Sequence, residues 1–301
     1  MLQIFRKLLP NAQARGFNAF TTPPTPRVII APKQPLLRPR LSLNRRPVIS
    51  SLLWVAAFFP LVRGADDMHQ STGHQRLVDH LILEGLINDP RVEQAFRAVD
   101  RRHFTPDTYP DHDVYMDAPL PLDPTTGQTI SAPHMHATAA SLGKLHLCPG
   151  ARVLDVGSGS GYLTAVFAKM VEGEGGKVVG VERFPQLVEY SLCRLRTFYP
   201  DLLSSHTVEI REGNVLGEGL EGEPDDSFDF IHVGAAADTL PRVLVQKLKR
   251  GGRMIIPVGA QWNVQYLQAV DKDQSGHVKK KNLMGVRYVP LTRPGQDEEM
   301  T

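Results

Sequence analysis

Cysteine is nearly missing from this chain. Cys148 and Cys193 are the two it has, with no CxxC pair and no Cys/His cluster around them. That excludes a disulfide framework and a thiolate zinc site, and it leaves buried or half-buried thiols in a reducing compartment as the expectation. His134 and His136 stand close together, but no third ligand is near them in sequence, so no metal site is expected. No GxSxG nucleophile elbow occurs. Acidic residues are missing from residues 1–65, where ten of the 34 Lys and Arg lie among several prolines. The other residues therefore carry 24 bases against 32 acids, a net of −8, although the whole chain comes to +2. That balance argues against a basic face for nucleic acid, so no such partner is expected. Long apolar runs are scarce as well. VISSLLWVAAFFPLV at 48–62 falls short of the ~20 residues that span a bilayer, and Pro60 interrupts it, so no stable membrane insertion is expected.

Residues 1–65 have the Arg-rich, acid-free composition of a mitochondrial transit segment. A signal anchor at 48–62, or a gene-model artefact with translation starting at Met68, are the two other readings. Composition does not choose among the three. Residues 1–65 are expected to be poorly ordered and separate from the catalytic domain at 66–293, with 294–301 a short polar tail.

What is present is organised around ARVLDVGSGSGYLTAVFAKMV at 151–171. Val153, Leu154 and Val156 read as a strand, and Leu163, Val166, Phe167 and Met170 as a helix. Between them lie Asp155 and the glycines Gly157, Gly159 and Gly161. Strand, glycine turn and helix form the first half of a nucleotide-binding βαβ unit. The spacing is GxGxG, with Tyr162 following. A carboxylate directly before the glycines would repel a pyrophosphate, but it suits a ligand with an amino group or a sulfonium; S-adenosyl-L-methionine has both. KVVGV at 177–181 is the second strand, and Glu182 at its end is placed to accept hydrogen bonds from ribose hydroxyls.

Before this unit, Leu77, Val78, Leu81, Ile82 and Ile87, then Val92, Phe96 and Val99, recur at helical spacing. Five prolines in 105–126 predict an irregular loop. GQTISAPHMHA at 127–137 leads into a helix predicted over 138–147, and Ser131, two residues before Pro133, has the spacing of a helix cap. After the unit come a helix at 187–198, a strand at 207–210, a strand at 228–233, a helix at 244–248 and a strand at 253–258. Strands at 265–270 and 285–290 follow, joined by a basic loop holding Lys279, Lys280 and Lys281. Alternating strands and helices with closing strands give an α/β fold, a doubly wound and mostly parallel sheet with a hairpin-like edge.

Several stretches together resemble the protein-L-isoaspartate (D-aspartate) O-methyltransferase family. They are TISAPHMHA at 129–137, LDVGSGSG at 154–161, FDFIHVGAAA at 228–237, GGRMIIPVG at 251–259 and LMGVRYVPLT at 283–292, with YMDAP at 115–119 and LLSS at 202–205 in support. The resemblance runs from about residue 71 to 292, and the 129–137 segment is its most specific part. It implies a seven-stranded Rossmann-like methyltransferase sheet. It implies methyl transfer from S-adenosyl-L-methionine to the free carboxyl of L-isoaspartyl and D-aspartyl residues in damaged proteins, whose esters cyclise to a succinimide.

Carried over by motif, Ser131 takes the active-site position. Thr129, Ile130, Ser131 and His136 fall in a cofactor-contacting segment. Asp155, Gly157, Ser158 and Gly159 form the methionine-side loop, Glu182 meets the ribose, and Thr292 is a further cofactor contact. Residues 115–117 and 289–292 are expected to line a peptide groove. Where the family tends to carry Gly-Asp-Gly, this chain has Gly213, Asn214 and Val215. Asn214 can still accept a hydrogen bond from an adenine amine, with weaker cofactor affinity as the expected consequence. A cytoplasmic monomer is expected, with a mitochondrial location as the alternative. A methyltransferase of the same fold acting on another carboxyl or a small molecule, and a non-catalytic cofactor-binding adaptor, are the competing functions.

Overall fold

In a computed structural model of the chain, residues 72–123, 125–260 and 263–295 are described. The expectations for residues 1–65, and for the tail beyond 295, lie outside them. Helices α1 (Gly73–Leu83) and α2 (Pro90–Ala98) open this region. The Thr72 hydroxyl accepts the Gln75 N–H while the Gln75 side chain returns to the Thr72 N–H, a capping box worth about 1 kcal/mol. Asp89 caps α2, whose first residue is Pro90. Their apolar stripes, including Leu81, Val92 and Phe96, are buried as the helical spacing predicts.

A 3-10 turn at Arg101–Phe104 leads to α3 (Asp111–Val114) and then to an antiparallel hairpin, β1 (Leu120–Asp123) with β2 (Gln128–Ile130). The stretch at 105–126 is thus not an irregular loop throughout. Its prolines conceal the hairpin because a two-stranded ribbon leaves one edge unpaired, where Pro121 loses no ladder bond. The turn closes on the Asp123 carboxylate, which accepts the Thr125 N–H at 2.7 Å. Helix α4 (Pro133–Gly143) starts five residues before the predicted point because Pro133 already has the backbone angle of a first helical residue. Its N-cap is Ala132, with no side-chain cap, so Ser131 does not cap the helix.

The main sheet is built from β3 (Arg152–Val156), β4 (Lys177–Glu182), β5 (Val208–Glu212), β6 (Phe228–Val233), β7 (Leu248–Val258), β8 (Gln265–Lys272) and β9 (Val278–Val286). Between them run α5 (Tyr162–Val171), α6 (Pro185–Phe198), α7 (Pro200–Ser204) and α8 (Arg242–Lys247). The strand order is β5-β4-β3-β6-β7-β8-β9. The first five are parallel, and β8 and β9 add on antiparallel. This is the doubly wound, seven-stranded sheet with a hairpin edge.

Two details differ. Lys279, Lys280 and Lys281 lie within β9, paired to Asp271, Val270 and Ala269, rather than in a loop. Lysines on an edge strand discourage pairing with another chain. And 285–290 is not a strand of its own: β9 ends at Val286, and the chain then crosses to the tip of β6, where Ala236 donates to the Val289 carbonyl at 2.8 Å and accepts the Leu291 N–H at 2.7 Å.

Alternation along the strands divides the core between the two faces of the sheet. Val153 packs with Phe167 and Phe230 on the α5 side, whereas Leu154, Val156, Ile231 and Val233 pack with Leu244 on the other. Asp155 shares the parity of Val153, which turns its carboxylate towards α5. Both cysteines are exposed, contrary to the expectation. Cys193 is on the outer side of α6, whose inward residues are Leu187, Ser191 and Leu195. Among the described residues, no helix is long and apolar enough to cross a membrane.

Candidate active site

Chain order reverses between β3 and β6, and a parallel sheet opens a crevice beyond the carboxyl ends of its strands at such a point. A cavity of about 530 Å³ lies there. It is lined by residues 129–131 and His136 from one wall, Asp155 and 157–159 from the glycine turn, Glu182 from β4, 213–215 from beyond β5, and Thr292 from the closing segment. Pro119 is among its lining residues, and Tyr115, Met116 and Asp117 are not.

The turn is shaped for close approach. Gly159 has φ of +54° and Gly161 of +83°, values that an L side chain resists, and a Cβ on Gly161 would come within 3.1 Å of the Ser191 Cβ. The Glu182 carboxylate braces this turn from the next strand. One oxygen accepts the Gly159 N–H at 2.9 Å, the other the N–H groups of Arg183 at 2.8 Å and Phe184 at 3.1 Å. A carboxylate has roughly four acceptor positions, so one is left for a ligand hydroxyl. Burial raises the pKa of Glu182, and the three backbone donors oppose that shift in part.

Asp155 is buried and spoken for on both oxygens. Oδ2 accepts the Thr164 hydroxyl at 2.6 Å, and Oδ1 pairs with His232 Nδ1 at 2.8 Å. His232 is the residue in register with Asp155 on the adjacent strand and itself lines the cavity. The carboxylate that precedes the glycines is therefore held by α5 and β6 before any ligand arrives.

On the opposite wall, Ser131 is half-buried and its carbonyl accepts Arg101 Nη1 at 2.9 Å. Asp117 Oδ1 accepts both the His134 N–H at 2.8 Å and pairs with His134 Nδ1 at 2.9 Å, tying the 115–118 segment to the start of α4. His136 is buried beside Tyr162, ring centroids 5.0 Å apart. Burial first, then the charge of Arg101, pushes its pKa well below the ordinary imidazole value, so it is neutral at pH 7.

Asn214 does not simply stand in for an aspartate. Its amide nitrogen donates to the Thr292 carbonyl at 2.9 Å and its oxygen accepts the Leu216 N–H at 2.9 Å. The oxygen keeps one lone pair for a ligand amine, but the amide also fastens the closing segment, which a carboxylate could not do. Arg183 Nη1 donates to the Thr292 hydroxyl at 2.5 Å, and its guanidinium lies 4.3 Å from the Phe184 ring centroid.

Sequence reasoning missed His232, Thr164, Arg183 and Arg101. A lone histidine in the apolar run FDFIHV was a usable signal for the first. Thr164, nine residues beyond Asp155, becomes readable once strand, turn and helix are drawn as one unit. Arg101 had no local signal, since its partners lie 13, 17 and 30 residues away.

Two buried polar atoms in the walls, Ser158 Oγ and His136 Nδ1, find no partner among the described residues. With the acceptor position on Glu182 and the glycines of the turn, they fit a nucleoside-bearing ligand such as S-adenosylmethionine. A model of the protein-L-isoaspartate(D-aspartate) O-methyltransferase family matches residues 71–296. Protein-L-isoaspartate O-methyltransferase 1 of Arabidopsis thaliana is 43% identical over 223 residues, 73% of this chain and 91% of the relative. The protein-L-isoaspartate O-methyltransferase of Caenorhabditis elegans is 40% identical over 223 residues, 73% of this chain and 92% of the relative. A Plasmodium falciparum crystal structure, described as a protein-L-isoaspartate O-methyltransferase in complex with S-adenosyl-L-homocysteine, matches with a TM-score of 0.66 at 35% identity. It covers 74% of this chain and 99% of that one.

Proposed function

We infer the chemistry from one premise: this chain belongs to the protein-L-isoaspartate (D-aspartate) O-methyltransferase family. It is an S-adenosylmethionine-dependent enzyme that methylates the free carboxyl of L-isoaspartyl and D-aspartyl residues in damaged proteins. The ester then cyclises off the enzyme to a succinimide, which reopens in part to normal aspartate. S-Adenosylmethionine supplies a methyl group made electrophilic by its sulfonium.

The acceptor carboxylate is already ionised at neutral pH, so the protein need not remove a proton from it. What remains is orientation and exclusion of water. We assign Glu182 to a ribose hydroxyl, the glycine turn and Asp155 to the methionine end, and residues 213–215 with Thr292 to the adenine side. Ser131 is assigned to the acceptor: its hydroxyl donates to the substrate carboxylate, with Thr129 beside it. Residues 289–292, hydrogen-bonded to Ala236, close the cleft against solvent. The observation that carries this reading is that Thr129, Ile130, Ser131 and His136 line the same cavity as the glycine turn, Asp155 and Glu182.

Labelled methyl transfer to matched isoaspartyl and aspartyl peptides tests it. Transfer to the isoaspartyl peptide alone is the expected result, and equal or absent transfer refutes the assignment. Ser131→Ala removes one hydrogen bond to a charged acceptor, about 1.5–3 kcal/mol, and should lower kcat roughly 10- to 100-fold while S-adenosylhomocysteine still binds. We further propose residues 66–293 as the catalytic domain of a cytoplasmic monomer without a nucleic-acid partner. The net negative charge beyond residue 65 supports the last point. Mitochondria are the alternative location, supported by the acid-free segment, and cell fractionation separates the two.

A further inference from the structure

Arg101 is fully buried, yet its guanidinium meets main-chain carbonyls alone in its three hydrogen bonds. Nε donates to Val114 at 3.1 Å, Nη2 to Ala118 at 3.2 Å and Nη1 to Ser131 at 2.9 Å. Burial lowers its pKa to about 10, which leaves it charged at neutral pH. Burying a cation is unfavourable unless its donors are well used, and here a planar fork joins three carbonyls of two separate segments at once. Those carbonyls belong to the end of α3 and the residue before Pro119, both in 114–118, and to the residue assigned to the acceptor. A smaller or more flexible side chain would not span them.

We propose that Arg101 is a positioning residue for methyl transfer: its guanidinium locks the Ser131 main chain to the 114–118 segment and so aims the Ser131 hydroxyl at the acceptor carboxylate. The Asp117 to His134 contacts pin the same two segments a second time, so the wall keeps its overall fold without Arg101 while the register of Ser131 relaxes. A small displacement of an orienting group is enough to slow turnover about 100-fold. The cofactor-facing turn, braced separately by Glu182, should not notice.

This rests on the assignment of Ser131 and is tested by a double-mutant cycle with Arg101→Lys, Ser131→Ala and the pair. The readouts are kcat on an isoaspartyl peptide, the Kd for S-adenosylhomocysteine, and cooperative thermal melting. Arg101→Lys keeps the charge and loses the fork. Its expected effect is a fall in kcat of about tenfold or more, with Kd changed less than about threefold, and the fall shrinks to less than about twofold in the Ser131→Ala background. An equal fall in both backgrounds, or no fall, overturns the proposal while leaving Ser131 in place. Full turnover in Ser131→Ala alone removes Ser131 from the mechanism and the proposal with it. If Arg101→Lys does not melt cooperatively, Arg101→Gln carries the same cycle; if neither folds, Arg101 serves the fold and the proposal is wrong.

Discussion

Replacing Glu182 by glutamine changes one oxygen to an NH2 at the point where β4 meets the glycine turn. The carboxylate accepts three backbone N–H groups, from Gly159, Arg183 and Phe184, at 2.9, 2.8 and 3.1 Å. Glutamine retains one acceptor oxygen. Placed towards Arg183 and Phe184, it keeps those bonds and turns its NH2 onto the Gly159 N–H, donor against donor. One charge-assisted bond worth about 1.5–3 kcal/mol is lost, and a turn amide is left unpaired. Gly159 belongs to the cofactor cleft, so the loss falls on ligand binding. At about 1.4 kcal/mol per tenfold, the Kd for S-adenosylhomocysteine should rise roughly 10- to 100-fold by calorimetry. The pH dependence adds a second reading. Burial raises the Glu182 pKa above its unfolded value, so the stability linked to this group is complete at pH below the unfolded pKa and is lost as pH rises through the folded one. Glutamine does not titrate. The melting temperature of the wild type relative to Glu182→Gln should therefore be more favourable near pH 4 than at pH 7. A Kd within threefold of wild type, or a stability difference that grows towards pH 7, would refute the reasoning.

Two further substitutions probe the support of the site. Thr164→Val keeps the shape of a buried side chain but deprives Asp155 of the hydroxyl at 2.6 Å, and urea denaturation should show a loss of about 1–3 kcal/mol; a change below about 0.3 kcal/mol would mean that the contact contributes nothing. Gly161→Ala must adopt φ of +83° with its Cβ 3.1 Å from the Ser191 Cβ, so about 1–2 kcal/mol of stability should go, together with cofactor affinity. Unchanged denaturation and binding in that variant would show that the turn does not need its left-handed conformation.

The Asp155 and Glu182 positions are legible because Asp155 stands next to the end, and Glu182 at the end, of an apolar run rich in valine, and a strand followed by glycines has few ways to be read. The 129–137 segment is legible as a motif, and all of its residues except Pro133 and Ala137 line the cleft. The hairpin at 120–130 was not, since its prolines look like loop residues until pairing shows that only one edge must donate. The lysines at 279–281 read as a turn for a similar reason: edge strands tolerate a charge pattern that central strands do not. Asn214 was read for what it lacks relative to aspartate, whereas its amide nitrogen turns out to hold the Thr292 carbonyl.

Periodicity and punctuation in the chain were enough to establish a doubly wound sheet, its parallel core and the strand tips where a ligand sits. These follow from rules that act over a few residues: alternation in strands, a 3.6-residue repeat in helices, and glycine where the backbone must turn. Packing was needed to learn that Asp155 belongs to His232, that Arg101 reaches Ser131, and that Thr292 is tied down from just beyond both β4 and β5. Those pairs join residues 77, 30, 78 and 109 positions apart, and which distant groups meet depends on how whole elements stack.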